Sequence, residues 1–388
     1  MSAQLFRETV TAMNRYTLSN LQLHRRDWLF PTDPSVFNTN PLNVAVGAMG
    51  VLYSMHKTGA KIPTSAYAWV FSQNINNDNY PPGLYMGISG ISWVFWDLGF
   101  KERAMRLMDQ AAEHPLLYRS ANLFYGASGY GVTCLYFYME TLDEKWLERA
   151  RIIGDWLLTI GPEHALAKNY CMEHNGDTFL GYARGNSGVA LFLLYLYQLT
   201  KDLKFYKAGE AALQFDISYL QETEEQNLSV PRGKISELEN VFTHYWLDGS
   251  AGIVSVLWRY WAISGKKEYF QKASSLILDT FRTFTVFPGL FRGAAGLGNS
   301  LLEAHYFTGE QKYLDQAIKI GHSILLFQIK REEGIAFPGE QLFRISTDFG
   351  TGMAGISLFI NSLSTQQAES CFHFLLSPVA LDNLCKKD

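Results

Sequence analysis

The stretch His244-Tyr245-Trp246-Leu247-Asp248-Gly249-Ser250-Ala251-Gly252 carries the motif that decides the fold. It ends in Gly-x-x-Gly, and a largely apolar run from Ile253 to Trp258 follows at once. The same motif occurs seven times in the 388 residues, at Gly47/Gly50, Gly87/Gly90, Gly126/Gly129, Gly185/Gly188, Gly249/Gly252, Gly293/Gly296 and Gly352/Gly355. A unit repeated from one end of a chain to the other indicates a repeat architecture.

Each motif is predicted to open an apolar helix that is buried on all sides. Four of these helices are followed by a second segment whose leading aromatic residue stands twenty residues after the first glycine of its repeat: Trp146, Phe205, Tyr269 and Tyr313. Charges lie around these aromatic residues at helical spacing, as on a solvent-facing helix. Buried inner helices that alternate with amphipathic outer ones predict an all-α fold, an α/α toroid (barrel) of about seven helix pairs.

Residues 44–388 are predicted to form that toroid as a single domain, because no repeat can bury its apolar face alone. Residues 1–43 are predicted to be a lead-in strap or linker, with a Pro- and Asn-rich loop near its end. Two long connections interrupt the repeats, at Gly161–Gly181 and Gln221–Val241. Long connections in a compact domain often hold a substrate.

The composition is that of a globular protein with a large core, since 47% of the residues are hydrophobic and 18% are charged. The formal net charge of −4 argues against nucleic acid or an anionic membrane as a partner. The sequence has neither an apolar stretch of about 18 residues nor a signal sequence, so we expect a cytoplasmic protein. Cys134, Cys171, Cys371 and Cys385 are far apart in the sequence and are predicted to be reduced thiols.

Three of the repeats carry sequences that, with the seven glycine motifs, resemble the LanC-like lanthipeptide cyclases: Arg184-Gly185-Asn186-Ser187-Gly188, Tyr245-Trp246-Leu247-Asp248-Gly249 and Phe291-Arg292-Gly293-Ala294-Ala295-Gly296. The resemblance spans about residues 40–362. Within that family, four further stretches are most similar to the C-terminal cyclase domain of class III synthetases: Leu29-Phe30-Pro31-Thr32-Asp33-Pro34, Asn40-Pro41-Leu42, Leu123-Phe124-Tyr125-Gly126 and Asp348-Phe349-Gly350-Thr351-Gly352-Met353-Ala354-Gly355. Those synthetases carry lyase, kinase and cyclase in that order in one chain.

The resemblance also shows which family residues are replaced. Zinc-dependent members have a Cys in the Trp-Cys-x-Gly motif of repeat five, a Cys-His pair before the glycine of repeat six, and a His before the glycine of repeat four. The matching residues here are Leu247, Phe291 with Arg292, and Arg184. Leu and Phe have no ligand atom and Arg stays protonated, so the sequence predicts no metal and no cofactor.

The reaction that the resemblance implies is addition of a Cys thiol to a dehydroalanine or dehydrobutyrine of the same ribosomal precursor peptide, giving a lanthionine or labionin ring. It requires a thiolate, stabilisation of an enolate and a proton donor. In a toroid the inner helices begin at one mouth, where unpaired N–H groups gather and glycine permits a ligand to approach. Arg184 and Arg292 stand immediately before such starts and are predicted to stabilise both anions. Alternatively, they pair with carboxylates such as Asp248 or Asp348 and hold the rim together.

His244 and Asp248 are the candidates for proton transfer. Each has a structural alternative, as a packed histidine and as a helix cap. Tyr125 and Tyr182 precede repeat glycines and are candidate donors to the enolate, or aromatic residues that line a groove. Four further residues are predicted to bind substrate: Asn122, Tyr245, Trp246 and Asp348.

The sequence leaves three functions open. The first is an enzyme, a zinc-free cyclase domain acting on a leader–core precursor peptide, with kinase and lyase domains in the same chain or as separate proteins. The second is a degenerate domain of the same fold that binds the peptide for those activities without catalysing ring closure. The third is a toroidal glycoside hydrolase, which would need paired carboxylates such as Asp248 and Asp348.

Overall fold

The computed structural model describes residues 2–160, 169–171, 178–223, 227–234 and 241–365. Fourteen α-helices lie within these residues: α1 (Ser2–Ser19), α2 (Ala48–Lys57), α3 (Thr64–Phe71), α4 (Ile88–Asp97), α5 (Lys101–Ala112), α6 (Ala127–Thr141), α7 (Glu144–Thr159), α8 (Asn186–Thr200), α9 (Leu203–Ile217), α10 (Ser250–Ser264), α11 (Lys267–Leu276), α12 (Ala294–Thr308), α13 (Gln311–Ile324) and α14 (Met353–Thr365). None of them is long and apolar enough to cross a membrane.

The helices follow the glycine motifs closely. An inner helix begins on the residue after the first glycine of each motif, as α10 does after Gly249. Repeats one to six supply the pairs α2/α3, α4/α5, α6/α7, α8/α9, α10/α11 and α12/α13, and repeat seven supplies α14. The second helix predicted for repeat seven falls outside the described residues.

Burial agrees with the predicted inner and outer layers. The inner helices are buried on nearly every side along most of their length, as in α8, where Leu191, Phe192 and Leu193 are all inaccessible. The outer helices bury one face only. Its anchors are the aromatic residues found at the constant step of twenty: Trp146, Phe205, Tyr269 and Tyr313.

The motif glycines are required by the turn that precedes each inner helix. A Cβ atom on Gly249 would lie 2.4 Å from the carbonyl oxygen of Thr243, six residues earlier. A Cβ atom on Gly252 would lie 2.2 Å from the carbonyl oxygen of Trp246 and 2.6 Å from Cβ of Tyr182 in the preceding repeat. The glycines therefore let the helix pack against its own turn and its neighbour, which is a different reason from the predicted approach of a ligand.

The chain divides into two compact units, one from the described residues of 1–81, 85–109 and 282–371 and one from those of 82–84 and 110–281. In the first unit, the turns before the inner helices are joined by backbone hydrogen bonds from Phe291 N to Gly350 O (2.8 Å), Gly350 N to Ala45 O (2.8 Å) and Ala45 N to Tyr85 O (2.9 Å). In the second unit, equivalent bonds run from Phe124 N to Ala183 O (3.1 Å) and from Ala183 N to Leu247 O (2.9 Å).

The predicted strap begins as a regular helix. Phe6, Val10 and Met13 of α1 are buried, and α1 packs against α14 and against Gly334–Ala336 of its unit. Residues 34–38 form a short 3-10 helix, whose cap is the Asp33 side chain. The single-domain organisation of residues 44–388 stays a prediction.

Short strands, which the sequence did not predict, lie mainly in the two long connections. They are β1 (Thr178–Phe179), β2 (Gln221–Glu222), β3 (Leu228–Pro231), β4 (Gly233–Lys234), β5 (Phe242–Thr243), β6 (Ile329–Arg331) and β7 (Gly334–Ala336). All pairings are antiparallel: β1 with β4, β3 with both β2 and β5, and β6 with β7. Phe179 of β1 stands opposite Gly233 of β4.

Candidate active site

Arg184 lies on an aromatic surface of the second unit. It precedes Gly185, the N-terminal cap of α8, and its side chain is partly exposed. Its guanidinium carbon lies 3.7 Å from the ring centroid of Phe179 and 5.9 Å from that of Tyr125. Stacking on an aromatic face orients a guanidinium.

Asp248 forms an ion pair with an arginine that the sequence did not single out. Its carboxylate is buried, and Oδ2 lies 3.4 Å from Nε of Arg232. The hydroxyl of Thr243 lies 3.4 Å from Oδ1. Arg232 comes from the connection Gln221–Val241, where the length of the insertion was the only signal of a functional segment.

Backbone pairing links the segments that carry Arg184, Arg232 and Asp248. Arg232 directly precedes Gly233, which is the partner of Phe179 in the strand pair β1–β4. The guanidinium of Arg184 in turn stacks on the ring of Phe179. The bond from Ala183 N to Leu247 O joins the residues just before Arg184 and Asp248. We call these three residues the arginine cluster.

Four aromatic candidates of the same unit separate into two environments. His244 and Tyr245 are half-buried, and their ring centroids are 4.3 Å apart. Tyr182 and Trp246 lie in the core, with ring centroids 4.4 Å apart. The placement of Tyr182 and Trp246 favours a packing role, whereas His244 and Tyr245 remain within reach of solvent.

Tyr125 and Asn122 belong to the turn before α6. The Tyr125 side chain is exposed and lies beside Arg184, so it remains a candidate to contact a ligand. Asn122 is buried, and its Oδ1 accepts a hydrogen bond of 2.9 Å from the backbone N–H of Tyr125. This bond gives Asn122 a structural task, which is to shape the turn that presents Tyr125.

Asp216, at the end of α9, was not identified from the sequence. Its buried Oδ2 accepts hydrogen bonds from Gly181 N (3.0 Å), Ser187 N (2.7 Å) and Ser187 Oγ (2.7 Å). Burial raises the pKa of Asp216 to about 6, and the bonds from Ser187, Gly181 and Asn186 partly oppose that rise. The carboxylate thus holds both ends of the loop 181–187, which carries Arg184.

Asp348 plays a comparable structural part in the first unit. It is fully buried and accepts hydrogen bonds from the Ser346 hydroxyl, from Thr351 N (2.6 Å) and from Asp33 N (3.3 Å). Burial raises its pKa, while the bonds from Ser346 and Thr351 oppose that rise. Because its oxygens are occupied by these donors, its placement favours a role in fixing the turn before α14.

Arg292 in the same unit is half-buried and precedes Gly293, the cap of α12. Its charge acts on Glu340, a carboxyl that the sequence did not suggest. Burial raises the pKa of Glu340, and Arg292 opposes that rise. Arg184 and Arg292 belong to different units, so their predicted convergence on one cavity stays a prediction.

The residues at the positions of the family's zinc ligands do not fit a zinc ion. Leu247 and Phe291 are buried hydrocarbon side chains, and the guanidinium of Arg184 stacks on Phe179. In the part of the chain that the structure describes, no three His, Cys, Asp or Glu side chains converge as a metal site would require. Cys134 and Cys171 are buried free thiols, and Cys371 and Cys385 lie outside the described residues.

A family model described as "Lanthionine synthetase C-like protein" matches residues 98–376. The chain belongs to this LanC-like family. The matched region includes the arginine cluster and all the other sequence-predicted site residues: Asn122, Tyr125, Tyr182, His244, Tyr245, Trp246, Arg292 and Asp348.

A curated relative described as "Probable SapB synthase", from Streptomyces coelicolor, is 28% identical over 346 residues. The match covers 87% of this chain and 36% of the relative, so the chain spans about a third of that protein's length. This LanC-like chain therefore corresponds to only one part of the longer relative.

Two solved structures describe the fold. Nisin cyclase is similar with a TM-score of 0.66 at 15% identity, covering 88% of this chain and 92% of its own. A GH76A α-1,6-mannanase from Salegentibacter sp. is similar with a TM-score of 0.54 at 11% identity, and the match covers 94% of this chain and 100% of the mannanase chain. At these identities the likeness concerns the fold alone, and it confirms the predicted class, a mostly helical α/α toroid of LanC-like type.

Proposed function

We propose that this chain is a zinc-free lanthipeptide cyclase domain of the class III type. The observation that carries the proposal is the arginine cluster in a LanC-like chain: where zinc-dependent members have a histidine, Arg184 is held on the ring of Phe179. A fixed cation at that position takes over the electrostatic task of a metal without needing a metal ligand.

The proposed reaction joins two residues of one peptide. The thiol loses its proton, and the thiolate sulfur attacks Cβ of a dehydroamino acid. A C–S bond forms, the Cα=Cβ π bond breaks, and its electron pair moves into an enolate. Protonation of Cα then completes the thioether, so the proton lost by the thiol is balanced by the proton gained at carbon.

Arg184 supports two of these steps. A free Cys thiol has a pKa of about 8.5, so only a few per cent is ionised at neutral pH, and an adjacent positive charge lowers that pKa. The same guanidinium stabilises the enolate oxygen. Arg292, the other arginine before an inner helix, is proposed for the same task from its own unit.

Proton transfer is proposed for His244. Its half-buried ring packs on Tyr245 and lies in the turn between β5 and α10. Imidazole exchanges protons near neutral pH, as a general acid–base requires. Asp248, by contrast, is buried and paired with Arg232, so we assign it to holding that arginine instead of to proton transfer.

The proposed partner is a ribosomal precursor peptide that kinase and lyase activities have already dehydrated. The relative described as "Probable SapB synthase" is much longer than the matched region, which supports a chain that works with such activities, in one polypeptide or as separate proteins. The single experiment that tests the proposed function is ring closure of a dehydrated precursor with and without the protein. Equal rates would overturn the catalytic assignment.

That overturning result would favour the second candidate, a LanC-like platform that binds the peptide without accelerating closure. The observation in its favour is that the residues at the zinc-ligand positions, Leu247 and Phe291 among them, cannot ligate a metal. Binding of the precursor at an unchanged closure rate is the result that the platform predicts.

A further inference from the structure

The loop 339–344 of the first unit contains two consecutive residues with a left-handed backbone conformation. Gln341 has a φ of 55° and Leu342 a φ of 59°, a region that residues other than glycine disfavour. Elsewhere among the described residues, such non-glycine residues occur singly and cap the C-terminal ends of helices, as Leu142 and Lys201 do. Non-glycine residues held in this conformation by their surroundings concentrate at sites that contact ligands.

The base of the loop is closed on itself and fixed to the turn before α14. Gly339 N donates a hydrogen bond to Arg344 O (2.9 Å), and Leu342 N donates one to Gly339 O (3.1 Å). A Cβ atom on Gly339 would lie 2.5 Å from Cβ of Ser346, so the loop packs directly against that turn. These contacts hold the left-handed pair in place and give the tip of the loop a defined shape.

The tip of the loop displays apolar side chains to solvent. Phe343 is 86% exposed and Leu342 is 41% exposed. Phe37 is 48% exposed, and its ring lies 5.0 Å from that of Trp28, which the guanidinium carbon of Arg344 also approaches, at 5.3 Å. Single exposed apolar residues are common, whereas neighbouring ones mark interaction sites. We call Phe37, Leu342, Phe343 and Arg344 the Phe343 surface.

Arg344 gives this surface a positive charge. The residue is exposed, and within the part of the chain that the structure describes it forms no ion pair. The ring of Trp28 supports its guanidinium, as aromatic rings do for arginine. A partner that brings a carboxylate to this position would be complementary in charge.

The Phe343 surface borders the turns that carry Arg292. Gly350 lies in the turn against which the loop packs, and a Cβ atom on Gly350 would lie 2.6 Å from the ring of Phe291, the residue before Arg292. Burial raises the pKa of Glu340, which belongs to the loop, and the charge of Arg292 opposes that rise. The loop is therefore placed to contact a peptide that reaches Arg292.

We infer that the Phe343 surface binds a segment of the peptide substrate that combines apolar side chains with a carboxylate. The apolar side chains pack on Leu342 and Phe343, and the carboxylate pairs with Arg344. The inference rests on the proposed function for the identity of the peptide. It adds a binding surface that lies apart from the reacting atoms, so its loss weakens binding without slowing the reaction of the bound peptide.

The test measures binding of a fluorescently labelled, dehydrated precursor peptide to the full chain by fluorescence polarisation. Phe343→Ser should weaken binding about tenfold and Leu342→Asn about fivefold, because both remove apolar contact area. Asparagine tolerates the left-handed conformation, so Leu342→Asn preserves the shape of the loop. Arg344→Gln should weaken binding about threefold and make it less sensitive to salt.

Leu142→Asn is the matched control. Leu142 is also an exposed leucine (61%) with a φ of 55°, but it caps the C-terminal end of α6 in the second unit. This control should bind the peptide as wild type does. Single-turnover ring closure at saturating protein gives a second readout, in which Phe343→Ser, Leu342→Asn and Arg344→Gln should all keep the wild-type rate.

The inference is wrong if Phe343→Ser and Leu342→Asn retain wild-type affinity, or if Leu142→Asn loses as much affinity as they do. It is also wrong if the surface instead pairs two copies of the chain, which sedimentation would reveal as a dimer that Phe343→Ser dissociates. If the variants lose affinity but wild type does not accelerate ring closure, the surface stands and the catalytic proposal fails. If wild type accelerates closure and the variants bind normally, only this inference fails.

Discussion

The buried carboxylate oxygen Oδ2 of Asp216 accepts two hydrogen bonds of 2.7 Å from Ser187, one from its backbone N–H and one from its hydroxyl. Ser187 lies in the first turn of α8, and Asp216 lies near the end of α9, so the bond ties the end of an outer helix to the start of its inner helix. The same oxygen also accepts from Gly181 N, which closes the loop that carries Arg184.

This arrangement predicts a pH dependence of stability. The pKa of Asp216 rises from 3.8 to about 6 because of burial, so the folded state binds this proton more tightly than the unfolded state. The free-energy contribution is fully present below about pH 4 and is lost as pH rises to about 6. Two pKa units correspond to about 3 kcal/mol.

The measurement is urea unfolding of wild type and Asp216→Asn between pH 4 and pH 7. The stability of wild type relative to the variant should fall as pH rises through this window. Asp202→Asn is the control, since Asp202 caps α9 on the surface and its pKa is lowered by the hydrogen bond from Lys204 N. A flat difference for Asp216→Asn, or one of opposite sign, contradicts the account.

A second prediction concerns the glycine motif. Gly252→Ala should destabilise the protein by about 3 kcal/mol or more, because its Cβ atom would lie 2.2 Å from the carbonyl oxygen of Trp246. Gly309→Ala should cost only about 1–2 kcal/mol, because Gly309 has a φ of 72° but open space around it. Thermal unfolding of both variants measures which of them loses more stability. A loss at Gly252 no larger than that at Gly309 would show that close packing is not the reason for the motif.

The repeat pattern predicted the fold well because its causes are local. Each Gly-x-x-Gly is demanded by the turn just before it, and each anchoring aromatic residue stands at a fixed step along its own helix pair. The short strands of the long connections were missed because they have only two to four residues, too few for a periodic signal. Tertiary pairing, not sequence pattern, places them.

The candidate site was only partly predictable. Arg184 and Asp248 could be found because they adjoin the motifs. Arg232, by contrast, stands 16 residues before Asp248, and Asp216 stands 32 residues after Arg184. Tyr182 and Trp246 also adjoin a motif, but which aromatic residues face the core depends on how neighbouring turns pack. The structural role of Asp348 was predictable from its neighbours, because Ser346 and Thr351, which donate hydrogen bonds to its carboxylate, lie within three residues of it in the sequence.

A third prediction concerns zinc. Purified protein should contain far less than one zinc ion per chain, because Leu247 and Phe291 have no ligand atom and Arg184 and Arg292 stay protonated. Mass-spectrometric elemental analysis after dialysis against a mild chelator measures this. Stoichiometric zinc that survives such dialysis would reveal a ligand set other than the family's positions and would remove the basis of the zinc-free proposal.

The central claim, that an arginine performs the electrostatic task of zinc, is tested most directly by single-turnover ring closure with a chelator present. A dehydrated precursor is incubated with excess full-length protein, remaining thiols are trapped by alkylation, and adducts are counted by mass against time. Arg184→Ala should slow closure about 10²-fold, equivalent to about 2.7 kcal/mol, while peptide affinity changes much less. Arg184→Lys should give a rate between those of wild type and Arg184→Ala. Arg25→Gln, the control at a partly exposed arginine that pairs with Asp27, should match wild type. An unchanged rate for Arg184→Ala, or a wild-type rate that depends on added zinc, would contradict the claim.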